Sequence, residues 1–218
     1  MERLGPNERE TVKAVFRLSQ AGDPVRTGDL AAALSLAPAS ATARVQRLAD
    51  RGLVTYAPYR SVTLTAEGRR VAAEAIRRHR IVERFLSDML GYRWEDADRL
   101  AVTFEHDLPN EVVARLFVAL DRPGTCPHGF PIPAADSADV PALPSLDSLE
   151  PGTIAEVALP GATEPDVAAF LETLGVRPGV QVVVRERHPF EGPIVITVDG
   201  EDRTLGSKLA QQIFVRTA

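Results

Sequence analysis

The stretch from residue 79 to 106, HRIVERFLSDMLGYRWEDADRLAVTFEH, places imidazoles and carboxylates at both ends of a mostly apolar segment. His79 and Glu83 are four apart, so on a helix they share a face. Asp98 and Glu105 are seven apart and share a face of a following helix, with His106 beside them. If the two helices pack antiparallel, five oxygen and nitrogen donors converge. Donors of that kind, without thiolate, suit a borderline-to-hard divalent ion such as Mn²⁺ or Fe²⁺. Each residue alone has a plainer reading, since an i,i+4 His–Glu pair on an exposed face is worth only roughly 0.2–0.5 kcal/mol. Cys126 and His128 lie in TCPHG, on a Pro-rich loop. One thiol and one imidazole do not complete a zinc site, so they are read as turn or packing residues. His188 is given no role.

A second chemistry is written in residues 37–51, APASATARVQRLADR. Pro38 fits the first turn of a helix. Small and hydroxyl-bearing residues stand at its start: Ala37, Ala39, Ser40, Ala41, Thr42 and Ala43. Such side chains let a helix sit deep in a major groove. The hydroxyls can donate to phosphates or base edges, and alanines can touch thymine methyls. Arg44, Arg47 and Arg51 recur at near one-turn spacing, and phosphates would satisfy them. Tyr59 and Arg60, at the tip of a short hairpin, would touch the DNA backbone. Without Asn, Gln or Lys among the base readers, shape and methyl contacts carry much of the specificity; Arg44 can reach a guanine.

The elements that must position these residues follow from periodicity and punctuation. A first helix spans about 7–21 and stops at Gly22-Asp23-Pro24. Thr27 is placed to cap a second. The helix from Pro38 ends near Gly52, and LVTYAPYRSVTLT reads as a hairpin around Pro58–Ser61. Helix, tight turn, helix and hairpin is the order of a winged helix-turn-helix. Thr65 caps a long helix ending at Gly91. Two more helices follow, over about 95–106 and after Pro109. Residues 121–147 hold six of the 17 prolines and read as a linker. Beyond it, TIAEVAL, VQVVVRER, PIVITV and QIFVRT read as strands, interrupted by the helix DVAAFLETLG, and a small β-barrel is their natural closure. The fold is thus mainly α with β. It comprises a winged helix-turn-helix DNA-binding domain (1–65), a helical dimerisation and metal-sensing domain (66–122), a Pro-rich linker (123–146) and an SH3-like β-barrel (147–218).

Composition is consistent with that division. The chain has 218 residues, 44% hydrophobic and 25% charged, with a net charge of −5. Residues 1–78 carry 13 Lys/Arg against 8 Asp/Glu, a net of +5, and the remainder nets −10. A basic front suits a polyanionic partner. No apolar run approaches the roughly 18 residues of a membrane span, and MERLGPNERE has no apolar signal core. The single cysteine excludes an internal disulfide, so a cytoplasmic location is expected.

The collinear set — winged helix, HRxxERFL, GY before a helix ending EH, PN-E-V, CPHGxPIP and a small C-terminal barrel — resembles the DtxR/MntR family of metal-dependent transcriptional repressors. VRPGVQVVV and its surroundings look like the FeoA-type SH3-like domain of the longer members. The resemblance covers nearly the whole chain. It implies an ancillary metal site at His79, Glu83 and Asp98, with Glu164 added from the SH3-like domain. It implies a primary site at Glu105, His106 and Glu10. Two departures weaken the primary site. Val102 stands where the family has a cysteine or glutamate, and Lys13 stands where manganese-type members have a second carboxylate.

The expected function is a homodimeric, Mn²⁺- or Fe²⁺-dependent repressor that binds palindromic operator DNA, with Mn²⁺ preferred. Val113, Leu116, Phe117 and Leu120 are expected to form the apolar dimer surface. The competing reading is a winged-helix regulator that has lost metal dependence and senses another ligand or a protein. A metal-dependent hydrolase is disfavoured: no HExxH, no nucleophile beside a base and no Gly-rich phosphate loop occurs.

Overall fold

The computed structural model describes residues 4–19, 24–57, 61–159 and 165–217. The chain divides into two compact units. One contains residues 1–82, 101–119 and 132–141; the other contains 83–100, 120–131 and 142–218.

In the first unit, α1 (Pro6–Ser19), α2 (Thr27–Ala33) and α3 (Pro38–Asp50) precede the two-residue strands β1 (Val54–Thr55) and β2 (Thr63–Leu64). The strands pair antiparallel, Val54 opposite Leu64 and Thr55 opposite Thr63. This is the helix-helix-hairpin order expected, and the core explains why it closes. Val12, Val15 and Phe16 of α1 pack with Leu30 of α2, Val45 and Leu48 of α3, and Leu53, Val54, Val62 and Leu64 around the wing. Each large apolar side chain so buried contributes on the order of 2 kcal/mol. The hairpin tip, residues 58–60, lies outside the described residues. The start of α2 differs by one residue from expectation. Arg26 is the cap, and its N–H donates to Asp29 Oδ2 at 2.9 Å.

The long helix α4 (Ala66–Asp88) starts as its sequence predicts, with Thr65 Oγ1 accepting from Gly68 N–H at 3.0 Å. Gly68 is required sterically. A Cβ there would meet the Leu53 carbonyl oxygen at 1.8 Å. Val71, Ala72, Ala73 and Ile76 join the first unit's core. The division between units falls within α4 and within α5 (Trp94–Phe104). Next comes α6 (Asn110–Ala119). Arg78 ties α4 to the α5–α6 turn, donating to Leu108 O at 2.9 and 2.7 Å and to Asn110 Oδ1 at 2.8 Å.

The second unit holds a five-stranded antiparallel sheet. Its strands are β3 (Ile154–Ala158), β4 (Gln181–Arg187), β5 (Ile194–Val198), β6 (Glu201–Leu205) and β7 (Phe214–Thr217), in the order β6-β5-β4-β3-β7. This is the antiparallel sheet of the expected SH3-like domain, its paired strands running from β6 to β7. Its core includes Val157, Val182, Val184, Ile194, Ile196, Leu205 and Val215, with Leu171 from α7 (Pro165–Thr173). The strand β6 went unread in the sequence because EDRTL lacks an apolar run. It forms because Asp199 and Gly200 both take positive φ, 51° and 84°, which makes the tight hairpin that returns the chain along β5. A four-residue helix, α8 (Ser207–Ala210), precedes β7.

The Pro-rich segment is not a free linker. Residues 120–131 belong to the second unit and 132–141 to the first, and Cys126, His128 and Val140 are buried.

Candidate metal centre and nucleic-acid interface

Donors gather where the sequence concentrates them, and one group lies within each unit. In the first unit, Glu10 lies on α1, His79 on α4, and Glu105 and His106 directly follow α5. Glu105 N–H bonds Ala101 O at 2.9 Å, extending the helical turn that aims its carboxylate. Glu10, Glu105 and His106 present ligand-type atoms within 4.8 Å of one another. Lys13 enters the same place. It lies one turn beyond Glu10 on α1, and its Nζ is 2.7 Å from Glu10 Oε1 and 2.8 Å from Glu105 Oε1. The other Glu105 oxygen is 2.7 Å from His79 Nδ1. Glu105 is fully buried and Lys13 is 3% exposed. Burial alone would raise the Glu105 pKa. The hydrogen bond and charge of His79, then the charge and hydrogen bond of Lys13, outweigh it and hold the carboxyl at about 2. Although Glu105, His106 and Glu10 converge as the resemblance implies, the donor set does not fit a divalent ion, because a buried ammonium stands against both carboxylates.

In the second unit, Glu83, Cys126 and His128 present donor atoms within 4.8 Å of one another, and all three are buried. Glu83 Oε1 is 2.9 Å from His128 Nδ1. His128 Nε2 is buried with no hydrogen-bond partner. An unsatisfied buried donor or acceptor costs about 1–3 kcal/mol, and a bound cation supplies a partner for such a nitrogen. Carboxylate, thiolate and imidazole form a mixed set suited to a borderline divalent ion. This set fits.

The TCPHG turn is built to hold these side chains. Cys126 N–H donates to Phe130 O, Gly129 N–H to Cys126 O, and Leu159 N–H to His128 O, at 2.9, 2.9 and 3.1 Å. Gly129 has φ +87° and lies so close to β3 that a Cβ would meet that of Ala158 at 3.0 Å. Only glycine fits there. Trp94 packs edge-on against the His128 ring, with centroids 5.1 Å apart.

The reading of Cys126 and His128 as turn residues therefore captured their place in a turn but missed their convergence on Glu83. The available signal was a thiol and an imidazole two apart beside glycine, in a chain with only one cysteine. The residues expected to hold metal with Glu83 are also near it. Glu83 and Asp98 offer carboxylate oxygens within 4.8 Å, and along α4 His79 and Glu83 meet the same limit. His79 is, however, already engaged with Glu105. Glu164 lies outside the described residues.

On α3, Ala41, Val45 and Leu48 face the core. That leaves Ala39, Ser40, Ala43 and Arg47 exposed, with Thr42 and Arg44 half-buried. The expected reading face is thus the outer face of the helix, with two corrections. Thr42 Oγ1 donates to Pro38 O at 3.0 Å, so its proton is committed to the helix backbone. Arg51 pairs with Glu8 at 2.7 Å rather than standing ready for phosphate. Tyr59 and Arg60 lie outside the described residues.

Comparison with known proteins matches the chain in three stretches. Residues 3–62 match the family described as "Iron dependent repressor, N-terminal DNA binding domain". Residues 65–134 match "Iron dependent repressor, metal binding and dimerisation domain", and residues 145–217 match "FeoA domain". The diphtheria toxin repressor of Corynebacterium glutamicum is 30% identical, over 94% of this chain and 93% of that protein. The iron-dependent repressor IdeR of Mycobacterium tuberculosis is 28% identical over 99% of both. A solved manganese-dependent transcriptional repressor in complex with manganese superposes with a TM-score of 0.84. It has 32% identity and covers 97% of this chain and all of the other. Its DNA-binding helices, its metal-binding helical region and its FeoA sheet, each matched along nearly full-length relatives, place this chain in the family of iron- and manganese-dependent transcriptional repressors.

Proposed function

We propose that this protein is a homodimeric repressor that binds operator DNA when a divalent ion, Mn²⁺ by preference, is held by Glu83, Cys126 and His128. The observation that carries the reading is the buried cluster itself: three donor types, one of them an unpartnered imidazole nitrogen. Mn²⁺ is preferred over Fe²⁺ because a solved structure 32% identical to this chain is that of a manganese-dependent repressor; the preference does not come from the thiolate of Cys126. The family consists of transcriptional repressors, not enzymes. Among the described residues, no helix is long and apolar enough to cross a membrane.

The division of labour follows the elements. Residues 1–65 read DNA through the outer face of α3 and the wing, 66–122 dimerise, and Glu83 together with Cys126 and His128 of the Pro-rich segment senses metal. Two α3 helices of a dimer address the half-sites of a palindrome. Glu83 of α4 and Cys126 and His128 of the turn would hold the ion, which would supply a fixed double positive charge between them. Glu83 orients His128 through the Nδ1 contact, and Trp94 and the sheet exclude water from it. Asp98, whose carboxylate lies near that of Glu83, is a further ligand for the same ion, and Glu164 is proposed as another. Because α4 also supplies Val71, Ala72 and Ile76 to the core of the DNA-binding unit, ordering its later turns can favour one pose of α3. The ion shifts the DNA-competent population only by its preference for that state, and a 100-fold preference amounts to about 2.7 kcal/mol.

The test uses a duplex selected from a random pool in the presence of Mn²⁺. Binding is measured by anisotropy before and after chelation, and Trp94, the sole tryptophan, reports site filling. Chelation should weaken binding by at least tenfold, and Mn²⁺ should restore it as Trp94 emission changes. His128→Ala and Cys126→Ser should behave like the chelated protein. DNA affinity unchanged by chelation would leave a metal-independent regulator.

A further inference from the structure

We infer that the ammonium of Lys13 is the resident cation of the Glu10–Glu105–His106 cluster, so that this position is filled by the chain itself and takes no metal ion. A lysine is almost never fully buried without charged partners. Lys13 has two: Glu10 Oε1 at 2.7 Å and Glu105 Oε1 at 2.8 Å. These are the oxygens an ion at this position would need. The remaining Glu105 oxygen is taken by His79 Nδ1 at 2.7 Å. His106 Nε2 is 3.9 Å from Glu10 Oε1.

The geometry around Lys13 has the form of a cation site in which one ligand has become the cation. The carboxylates of α1 and of the α5 end point inward at a common charge. That charge sits on a flexible four-carbon stem rooted in α1 itself. A second positive ion cannot share two oxygens already within hydrogen-bond distance of an ammonium. Val102, one turn before Glu105 and His106, adds methyl groups and no donor. The tie between α1 and the end of α5 therefore does not depend on metal supply and survives chelation. Metal responsiveness is confined to Glu83, Cys126 and His128. The assignment of Lys13 stands whether or not that second cluster binds an ion.

The experiment counts Mn²⁺ per chain after equilibrium dialysis of the full-length protein, by plasma mass spectrometry, and locates it by anomalous scattering. In the wild-type protein, Glu10→Gln and His106→Ala should leave the count unchanged and move the Mn²⁺ Kd by less than twofold. Lys13→Met, close in volume and without charge, should add one ion per chain. That ion should disappear again in Lys13→Met/Glu105→Gln. Circular dichroism establishes that each variant is folded.

An anomalous peak among Glu10, Glu105 and His106 in the wild-type protein overturns the inference. So does loss of an ion in Glu10→Gln or His106→Ala, or a folded Lys13→Met that gains none. A wild-type protein that binds no Mn²⁺ while Lys13→Met binds one supports the Lys13 assignment and defeats the metal-dependent reading of the Cys126–His128 cluster. The two claims therefore fail separately.

Discussion

Glu105 shows how far one side chain's environment departs from its sequence context. Buried and flanked by Lys13 and His79, its carboxyl is held at about 2 instead of its ordinary 4.5. A depressed carboxylate stabilises the fold above its unfolded pKa, and that contribution is lost as pH falls toward the folded one. The window is therefore about pH 5 to pH 2, and the contribution is on the order of 3 kcal/mol. In chelated protein, urea unfolding should show wild type well above Glu105→Gln at pH 7. The gap should narrow steadily below pH 5. A gap independent of pH would mean that Glu105 contributes through packing alone.

At the scale of an element, the proposed DNA reading falls on α3. Its buried stripe of Ala41, Val45 and Leu48 fixes which residues face outward. Arg47 is exposed, about one turn from Ala43 and two from Ser40, on the same face. Arg47→Ala should weaken binding to all duplexes about equally, and the slope of log K against log[salt] should fall in magnitude by about 1. Anisotropy titrations between low and moderate salt measure it. An unchanged slope would exclude a phosphate contact. Arg51→Ala should change the slope little, since Arg51 is paired with Glu8. Its cost should appear in stability instead.

For the whole molecule, the question is which apolar side chains meet a second copy. The apolar pattern of the sequence points to Val113, Leu116, Phe117 and Leu120. In the fold Val113 turns inward, 7% exposed, and the guanidinium of Arg77 lies 4.2 Å from the Phe117 ring centroid. The apolar residues left at the surface of this region include Phe104 and Val118, about half exposed. A carboxylate there would be desolvated in a dimer and harmless in a monomer. Val118→Asp should therefore shift sedimentation toward monomer and lower operator affinity at least tenfold, without lowering the melting temperature of the monomer. An unchanged dimer would move the interface elsewhere.

Periodicity and punctuation were enough to read the helices, most strands, the wing and the donors at 79–106. Those depend on local rules: apolar stripes at helical spacing, caps such as Thr65, and stops such as Gly91. They were also enough for the family resemblance, because the motifs occur in order along nearly the whole chain. Three features were decided only by the tertiary structure. Strand β6 is polar and exists through pairing with β5. Cys126 and His128 meet Glu83 across some 40 positions because the Gly129 turn docks against β3, a long-range contact that no local pattern encodes. Lys13 could be read as a charge that repels metal, but sequence could not show it reaching across to Glu105. Sequence fixes which charges a chain carries; only folding brings them within bonding distance, where desolvation and pairing determine which cation each carboxylate holds.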